Sequence, residues 1–169
     1  MILGLHFGPH DSSAAIIKDG VVLAMMEQER FDHKKHSGAF PFEATAFCLE
    51  RAGVRLRDIS AVAYASDVEI TNLYKRAFIE AAYPGAFHPT LYEQSDIEKT
   101  LRSKLSFEER LLHLDHHLGH AASVFFTSPF DESAVFTVDG VGNWVTTTLA
   151  TNVTVFARRS NRPVSPLAL

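Results

Sequence analysis

Two histidines four residues apart are the side chains of this sequence best suited to metal chemistry. His116 and His120 belong to a stretch, residues 113–120, that carries four of the nine histidines. On a helix, side chains four residues apart project from one face about one turn apart, so both imidazoles can reach one cation. Neutral imidazole binds Fe(II), Zn(II) and Mn(II), and we therefore predict a divalent-metal site on a helix over residues 116–127.

Asp139 is the predicted third, oxygen ligand of this site. Residues 133–138 have the pattern of a strand, and Asp139 follows that strand in front of Gly140. A helix that starts after one parallel strand and a carboxylate that ends the neighbouring strand both lie at the carboxyl edge of the sheet, where open α/β sheets bind ligands. The alternative is that the two histidines occupy a half-buried helix face and bind backbone or water.

The other histidines of this stretch are predicted to have structural roles. His117 points about 100° away from His116 on a helix, which favours a structural role or the support of a ligand. His113 falls on the preceding strand and is expected in the core. The histidine at position 117 also excludes the HExxH metalloprotease pattern, which requires glutamate there.

Two loops rich in glycine and hydroxyl side chains could bind phosphate groups. The first, residues 8–14, joins the first two strands, and the second, residues 139–148, follows a strand near the end of the sequence. Small residues let backbone N–H groups approach an anion, and two such loops are what a two-lobed ATPase uses to clamp a nucleotide's phosphates and metal. The alternative is an ordinary hairpin turn. The candidate nucleotide-binding residues are Asp11, Ser12, Gly140 and Gly142.

A basic loop follows the third strand. His33, Lys34, Lys35 and His36 place four potentially cationic groups together, with Asp32 as the one acid beside them. Such a loop could hold a small anion such as a phosphate. The alternative is a solvated surface segment, which a short run of lysine and histidine usually forms.

The elements that must position these residues alternate between strands and helices. Three short apolar runs at the start predict an antiparallel meander, because parallel neighbours need a crossover of a dozen residues or more. The meander strands are expected over residues 2–7, 14–18 and 21–26. Further strands are expected over residues 59–65, 110–114, 133–138 and 144–150, and helices over residues 41–52, 70–83, 95–105 and 116–127. Asp115 is expected to cap the last helix. This order predicts an α/β domain with a mixed sheet.

Composition excludes several classes of protein. The 169 residues fit one ordinary domain or a fragment of a larger protein, and leave no room for a second full domain. A net charge of −4 argues against nucleic acid as a partner. The single Cys48 excludes an internal disulfide, the first residues lack the pattern of a signal peptide, and no apolar run is long enough for a membrane span. We therefore expect a cytoplasmic protein.

Four blocks of the sequence together resemble the O-carbamoyltransferase family, which includes antibiotic-modifying and nodulation enzymes. The match covers about residues 1–150, which we assign to the N-terminal lobe of the family's ATPase-like domain. The four blocks are residues 2–15, 19–36, 40–53 and 116–147.

This resemblance implies a ribonuclease-H-like fold of the actin/hexokinase/Hsp70 superfamily. It also implies a divalent metal, often iron, held by two helix histidines and an aspartate, which fall on His116, His120 and Asp139. Family members use ATP and carbamoyl phosphate to make carbamoyl adenylate, and pass the carbamoyl group to an acceptor hydroxyl. Their histidine and lysine near carbamoyl phosphate fall on His10 and Lys35. Lys35 would neutralise phosphate charge, while His10 would move a proton or bind the carbamoyl group.

The sequence departs from the family's pattern after residue 150. The family continues into a Pro-Ser-Leu-Gly segment, a second lobe that completes the ATP cleft, and a further domain. Residues 151–169 do not match, which predicts a truncated or frameshifted tail and leaves open whether the chain acts alone as an enzyme. The alternatives are a non-catalytic metal-binding fragment, and a threonylcarbamoyl-type ATPase or sugar kinase of the same fold.

Overall fold

The computed structural model describes residues 1–8, 10–65, 68–85, 94–142 and 145–150. These residues form two compact units. Of these residues, unit 1 comprises those within 1–65 and 107–113, and unit 2 comprises those within 68–106, 114–142 and 145–150.

Unit 1 is built on a five-stranded mixed sheet with the strand order β3-β2-β1-β4-β5. The first three strands form the predicted antiparallel meander, while β4 and β5 run parallel to β1. Asp19 and Gly20 join β2 to β3 with φ angles of 51° and 79°, as a two-residue hairpin turn requires. The strands are β1 (Ile2–His6), β2 (Ser13–Lys18), β3 (Val21–Glu27), β4 (Ala61–Tyr64) and β5 (Arg110–His113).

Two helices of unit 1 follow the meander. The short α1 covers Glu29–Asp32, and α2 covers Phe42–Ala52 and packs against β2 and β3. Gly53 ends α2 with a φ of 67°, a left-handed conformation in which glycine has no steric penalty. A short 3₁₀ turn at Leu56–Asp58 leads towards β4. The core of this unit includes Leu3, Ile16, Cys48 and Val62, all fully buried.

Unit 2 contains three helices and a hairpin of two strands. The helix α5 packs against both strands, and Ala121 and Phe125 on α5 are buried in one cluster with Val135 and Ala150. The helices are α3 (Val68–Ala82), α4 (Gln94–Leu105) and α5 (His116–Thr127), and the strands are β6 (Val135–Gly142) and β7 (Val145–Ala150).

The predicted α/β class with a mixed sheet is confirmed, and the predicted elements are found with small shifts at their ends. The ribonuclease-H-like type of this lobe stays a prediction. Two predictions about Asp139 were wrong: it does not follow a strand, and in the described part of the chain its strand does not neighbour β5 in a shared sheet but pairs with β7 in a separate two-stranded sheet. The strand β6 continues through Asp139 to Gly142 and pairs with the antiparallel β7, because the chain bulges at Asp139 instead of turning there. The strand start expected at Trp144 and the tail from residue 151 lie outside the described residues. Within the described part of the chain, none of the helices has the length and hydrophobicity that crossing a bilayer requires.

Candidate functional site

The helix α5 presents its two candidate ligands in its first turns. Asp115 caps the helix as predicted, because its Oδ1 accepts a hydrogen bond of 2.8 Å from the backbone N–H of Leu118. This cap fixes where the helix begins, and His116 and His120 then follow on one face. Their ring centroids lie 4.5 Å apart.

The strand β6 turns one face towards α5. Val135 and Thr137 are buried, whereas Phe136 and Val138 between them are exposed, which is the alternation of a half-buried strand. Asp139 is next in this alternation on the side of Val135 and Thr137, and its side chain is 32% exposed. The alternation therefore turns the carboxylate of Asp139 towards the helix.

Three donor atoms converge in unit 2. Nε2 of His116 lies 2.6 Å from Oδ2 of Asp139, Nε2 of His120 lies 2.9 Å from Nε2 of His116, and Nε2 of His120 lies 3.4 Å from the same carboxylate oxygen. The structure thus brings together the three residues that the sequence predicted as a ligand set.

This donor set fits a divalent metal ion. One ring nitrogen carries at most one proton, so the three short contacts cannot all be good hydrogen bonds. A cation between the three atoms could be bound by all of them at once, since ligand atoms about 2.0–2.2 Å from a metal lie roughly 3 Å from one another. The side chain of His120 is 50% exposed, so one side of the site is open to solvent.

The carboxylate of Asp139 is held in its ionised form. The hydrogen bond from His116 is the main cause that lowers the pKa of Asp139, and the backbone N–H of Gly140 adds a second bond of 2.6 Å to Oδ1. Partial burial opposes these effects on the pKa of Asp139, and it is weaker than the His116 bond but larger than the Gly140 bond. A metal would therefore meet a carboxylate anion over the physiological pH range.

His117 is buried beside these ligands, 2% exposed. Its Nδ1 lies 2.6 Å from Oγ1 of Thr137, and its Nε2 lies 2.8 Å from the carbonyl oxygen of Val145. Both ring nitrogens are therefore occupied, in agreement with the structural role predicted for this residue.

A second cluster lies in unit 1, at the loop between β1 and β2. The carboxylate of Asp11 bridges two histidines, with Oδ2 at 2.8 Å from Nδ1 of His10 and Oδ1 at 2.8 Å from Nδ1 of His36. These bonds lower the pKa of Asp11, and the bond with His36 is the larger cause. Asp11 and His36 have φ angles of 51° and 56°, an uncommon conformation for residues other than glycine.

The Asp11 carboxylate connects His10 to the basic loop that contains Lys35. Lys35 is exposed and precedes His36, and the turn around it is closed by a hydrogen bond of 3.1 Å from the N–H of Ser37 to the carbonyl of Lys34. The Ser37 hydroxyl also donates to Asp32, and this bond is the main cause that lowers the pKa of Asp32. His10 and the basic loop thus lie on opposite sides of the Asp11 carboxylate.

The predicted nucleotide-binding residues have defined surroundings. The N–H of Ser12 donates to the carbonyl of Ser37 at 2.7 Å, and its buried hydroxyl has no hydrogen-bond partner among the described residues. The amide of Ser12 is therefore engaged within the loop, and its hydroxyl is buried from solvent. Gly140 and Gly142 lie within β6, and the space where a Cβ of Gly140 would project is open.

Gln28 is a buried residue of this region that the sequence analysis missed. Its Nε2 donates to Glu43 at 2.6 Å, its Oε1 accepts from the N–H of Ala44 at 3.3 Å, and its own N–H donates to the carbonyl of Ser12 at 2.8 Å. Gln28 therefore ties the 10–12 loop to α1 and α2. A single glutamine before a short helix carries no signal of this role in the sequence.

Two proteins of known sequence are similar to this chain over most of its length. The uncharacterised protein sll1178 of Synechocystis is 38% identical over 164 residues, which cover 88% of this chain and 26% of that protein. The nodulation protein NolNO of Sinorhizobium fredii is 34% identical over 166 residues, covering 94% of this chain and 22% of that protein. The chain thus spans about a quarter of the length of these relatives.

A solved structure from Porphyromonas gingivalis, of a protein provisionally assigned as an N-acetylglucosamine kinase, covers 99% of this chain and 47% of its own. Its TM-score is 0.43 and its sequence identity 16%, values too low to bear on function. The family described as the carbamoyltransferase N-terminus matches residues 1–161. The match confirms the resemblance carried by the four sequence blocks, and it shows that this chain belongs to the carbamoyltransferase family.

Proposed function

We propose that this protein takes part in the transfer of a carbamoyl group from carbamoyl phosphate to an acceptor hydroxyl, by way of carbamoyl adenylate made with ATP. Membership of the carbamoyltransferase family supports the carbamoyl chemistry. The single observation that carries the metal-dependent form of the proposal is the convergence of donor atoms from His116, His120 and Asp139.

The metal, iron by preference and zinc or manganese as alternatives, would supply positive charge beside a phosphate or carbamoyl oxygen. The chain contributes a rigid donor set, in which two imidazoles come from one helix and the carboxylate comes from the strand packed on it. The exposed side of His120 leaves room for a substrate to approach.

His10 is the proposed proton carrier. The Asp11 carboxylate can only accept, so the 2.8 Å contact puts the proton of neutral His10 on Nδ1 and leaves Nε2 with a lone pair. That lone pair would take the proton of the acceptor hydroxyl while its oxygen bonds to the carbamoyl carbon and AMP leaves. Asp11 therefore acts on the substrate through His10.

Lys35 and the two glycines are the proposed contacts for phosphate groups. The exposed Lys35 ammonium is a point charge that would neutralise an oxygen of carbamoyl phosphate. The open space beside Gly140 would let a phosphate approach the strand segment that ends at Gly142. The buried hydroxyl of Ser12 supports a further polar contact within the same loop as His10.

The test separates metal loading from turnover. The chain is loaded with Fe(II), Mn(II) or Zn(II), its metal content is measured by elemental analysis, and AMP release is measured with ATP, carbamoyl phosphate and a hydroxyl acceptor. We expect close to one metal per chain, and metal-dependent AMP release. His33→Ala, which removes an exposed histidine of unit 1, is the control for loading. A parent protein that retains no metal would contradict the proposed site.

A second candidate function is a metal-binding module that does not turn over alone. It is favoured by the position of all three donors within unit 2. Stoichiometric metal without AMP release would favour this module over a complete enzyme.

A further inference from the structure

We propose that His117 is the positioning residue of the metal centre, holding β6 and β7 on either side of the strand irregularity that carries Asp139. This inference rests on the proposed metal site. It assigns His117 a role distinct from that of a ligand, although His117 lies directly beside His116 in the sequence.

The contacts of His117 fix its tautomer. The carbonyl oxygen of Val145 can only accept a hydrogen bond, so Nε2 of His117 must carry the proton of the 2.8 Å contact. In a neutral ring, Nδ1 then has the lone pair and accepts from the Thr137 hydroxyl at 2.6 Å. Thr137 Oγ1 in turn is free to accept from the hydroxyl of Thr148, also at 2.6 Å. The hydrogen bonds therefore run in one direction, from Thr148 through Thr137 to His117 and on to the carbonyl of Val145. Both ring nitrogens of His117 are used, so no lone pair remains for a metal.

The two strands held by His117 lose their regular register at Asp139. Val138 pairs with Thr147, and the next recorded pair is Gly142 with Val145. Three residues of β6, 139–141, therefore face one residue of β7, Thr146. An irregularity of this kind bends the strand and interrupts its ladder, here directly after Val138, where Asp139 follows.

His117 binds both sides of this bulge. Thr137 precedes it on β6, and Val145 lies at its far end on β7. Thr137 also lies two residues before Asp139, so the two side chains share a face of the strand. Fixing Thr137 to His117 sets the position of α5 along β6, and that position decides whether Asp139 meets His116 at 2.6 Å.

The decisive variant is Thr137→Val, which keeps the shape of the side chain but removes the hydroxyl bonded to His117. Co(II) is the probe, because its visible absorption reports ligand geometry as well as affinity. We expect Co(II) binding to weaken, by no more than the roughly 10–100-fold that follows the loss of a direct partner of a ligand, with an altered spectrum. Thr147→Val is the matched control, since Thr147 is exposed on the same strand pair and is expected to bind Co(II) like the parent.

Conservative variants separate positioning from stability. His117→Asn can keep an acceptor for Thr137, and is expected to retain more of the Co(II) affinity than His117→Ala, even where both lower the melting temperature equally. Equal Co(II) binding and spectra for Thr137→Val and the parent would overturn the proposal. A parent that binds no Co(II) would instead refute the metal site.

The positioning role of His117 can also be tested without metal, even if the parent protein binds no Co(II). The N–H of Gly140 donates to Asp139 inside the bulge, so its hydrogen exchange reports the local geometry. We expect this amide to exchange faster in Thr137→Val than in Thr147→Val. Equal exchange in the two variants would overturn the role of His117 in holding the bulge.

Discussion

The carboxylate of Asp11 joins His36 at 2.8 Å, across 25 residues of sequence, while its other oxygen binds the neighbouring His10. One side chain thus connects the loop after β1 with the basic loop after α1. Asp11 and His36 both have left-handed backbone conformations, so the contact joins two sites of local strain.

The Asp11 bridge predicts a pH-dependent contribution to stability. The pKa of Asp11 is lowered in the folded protein, so its stabilisation is complete above the ordinary value of 3.8 and is lost as pH falls through the folded value. Asp11→Asn removes the charge, and asparagine tolerates the positive φ. We expect the difference in unfolding free energy between parent and variant to be constant near neutrality and to shrink below about pH 4. Chemical denaturation at a series of pH values measures it, and a difference that persists unchanged at low pH would contradict the bridge.

Lys35 is predicted to contribute charge to anion binding. Lys35→Ala should weaken carbamoyl phosphate binding more than Lys35→Arg, because arginine keeps the charge but not the compact geometry of the ammonium group. Titration calorimetry gives the dissociation constants. Lys18→Ala removes an exposed lysine at the end of β2 and serves as the control. If both Lys35 variants bind like the parent, Lys35 is an ordinary surface residue.

Substituting a proposed metal ligand is predicted to reduce metal affinity more than substituting a residue that only supports a ligand. Removing a ligand in His120→Ala should weaken metal binding by more than the roughly 10–100-fold typical of an outer partner. Asp139→Asn should also lose affinity, because the amide is neutral where the carboxylate is ionised. Elemental analysis after dialysis against a weak chelator distinguishes these variants from the parent. An undiminished metal content in His120→Ala would remove that residue from the ligand set.

Local patterns were sufficient to predict most of this fold and the convergence of His116, His120 and Asp139. The meander followed from three closely spaced apolar runs, and the start of α5 followed from the cap at Asp115, because each depends on residues near in sequence. The spacing of His116 and His120 likewise implied one helix face. These features need no information about distant parts of the chain.

The structural features that the sequence alone does not predict depend on tertiary contacts. The bulge at Asp139 is set by pairing with β7 and by His117, so the sequence alone made Asp139 look like the end of a strand. The Asp11 to His36 contact and the buried Gln28 join segments far apart in the chain. A single sequence does not show which distant segments meet.

Cys48 is predicted to be unreactive in the folded protein. Burial raises the pKa of its thiol to about 11, so very little thiolate is present at pH 8, and the side chain is fully buried. A thiol reagent such as DTNB should label no cysteine in the native protein, and one per chain after unfolding in guanidinium. Fast labelling of the native protein would show that α2 opens readily from β2, where the Cys48 thiol donates to the carbonyl of Ala14.

The outer face of the β6–β7 hairpin is predicted to bind hydrophobic surfaces. Phe136 and Val138 are 66% and 67% exposed, and Leu149, which pairs with Phe136 across the strands, is 63% exposed. Apolar side chains grouped in this way on a two-stranded sheet are a typical site of association. We expect the purified chain to bind the dye ANS, and to form dimers or larger species as its concentration rises.

Phe136→Thr should reduce both effects because threonine keeps the β-propensity and removes the aromatic surface. Phe42→Thr, at an exposed phenylalanine of unit 1, is the control, and light scattering with dye fluorescence measures the outcome. A parent protein that remains a dye-silent monomer at high concentration would show that this face does not drive association.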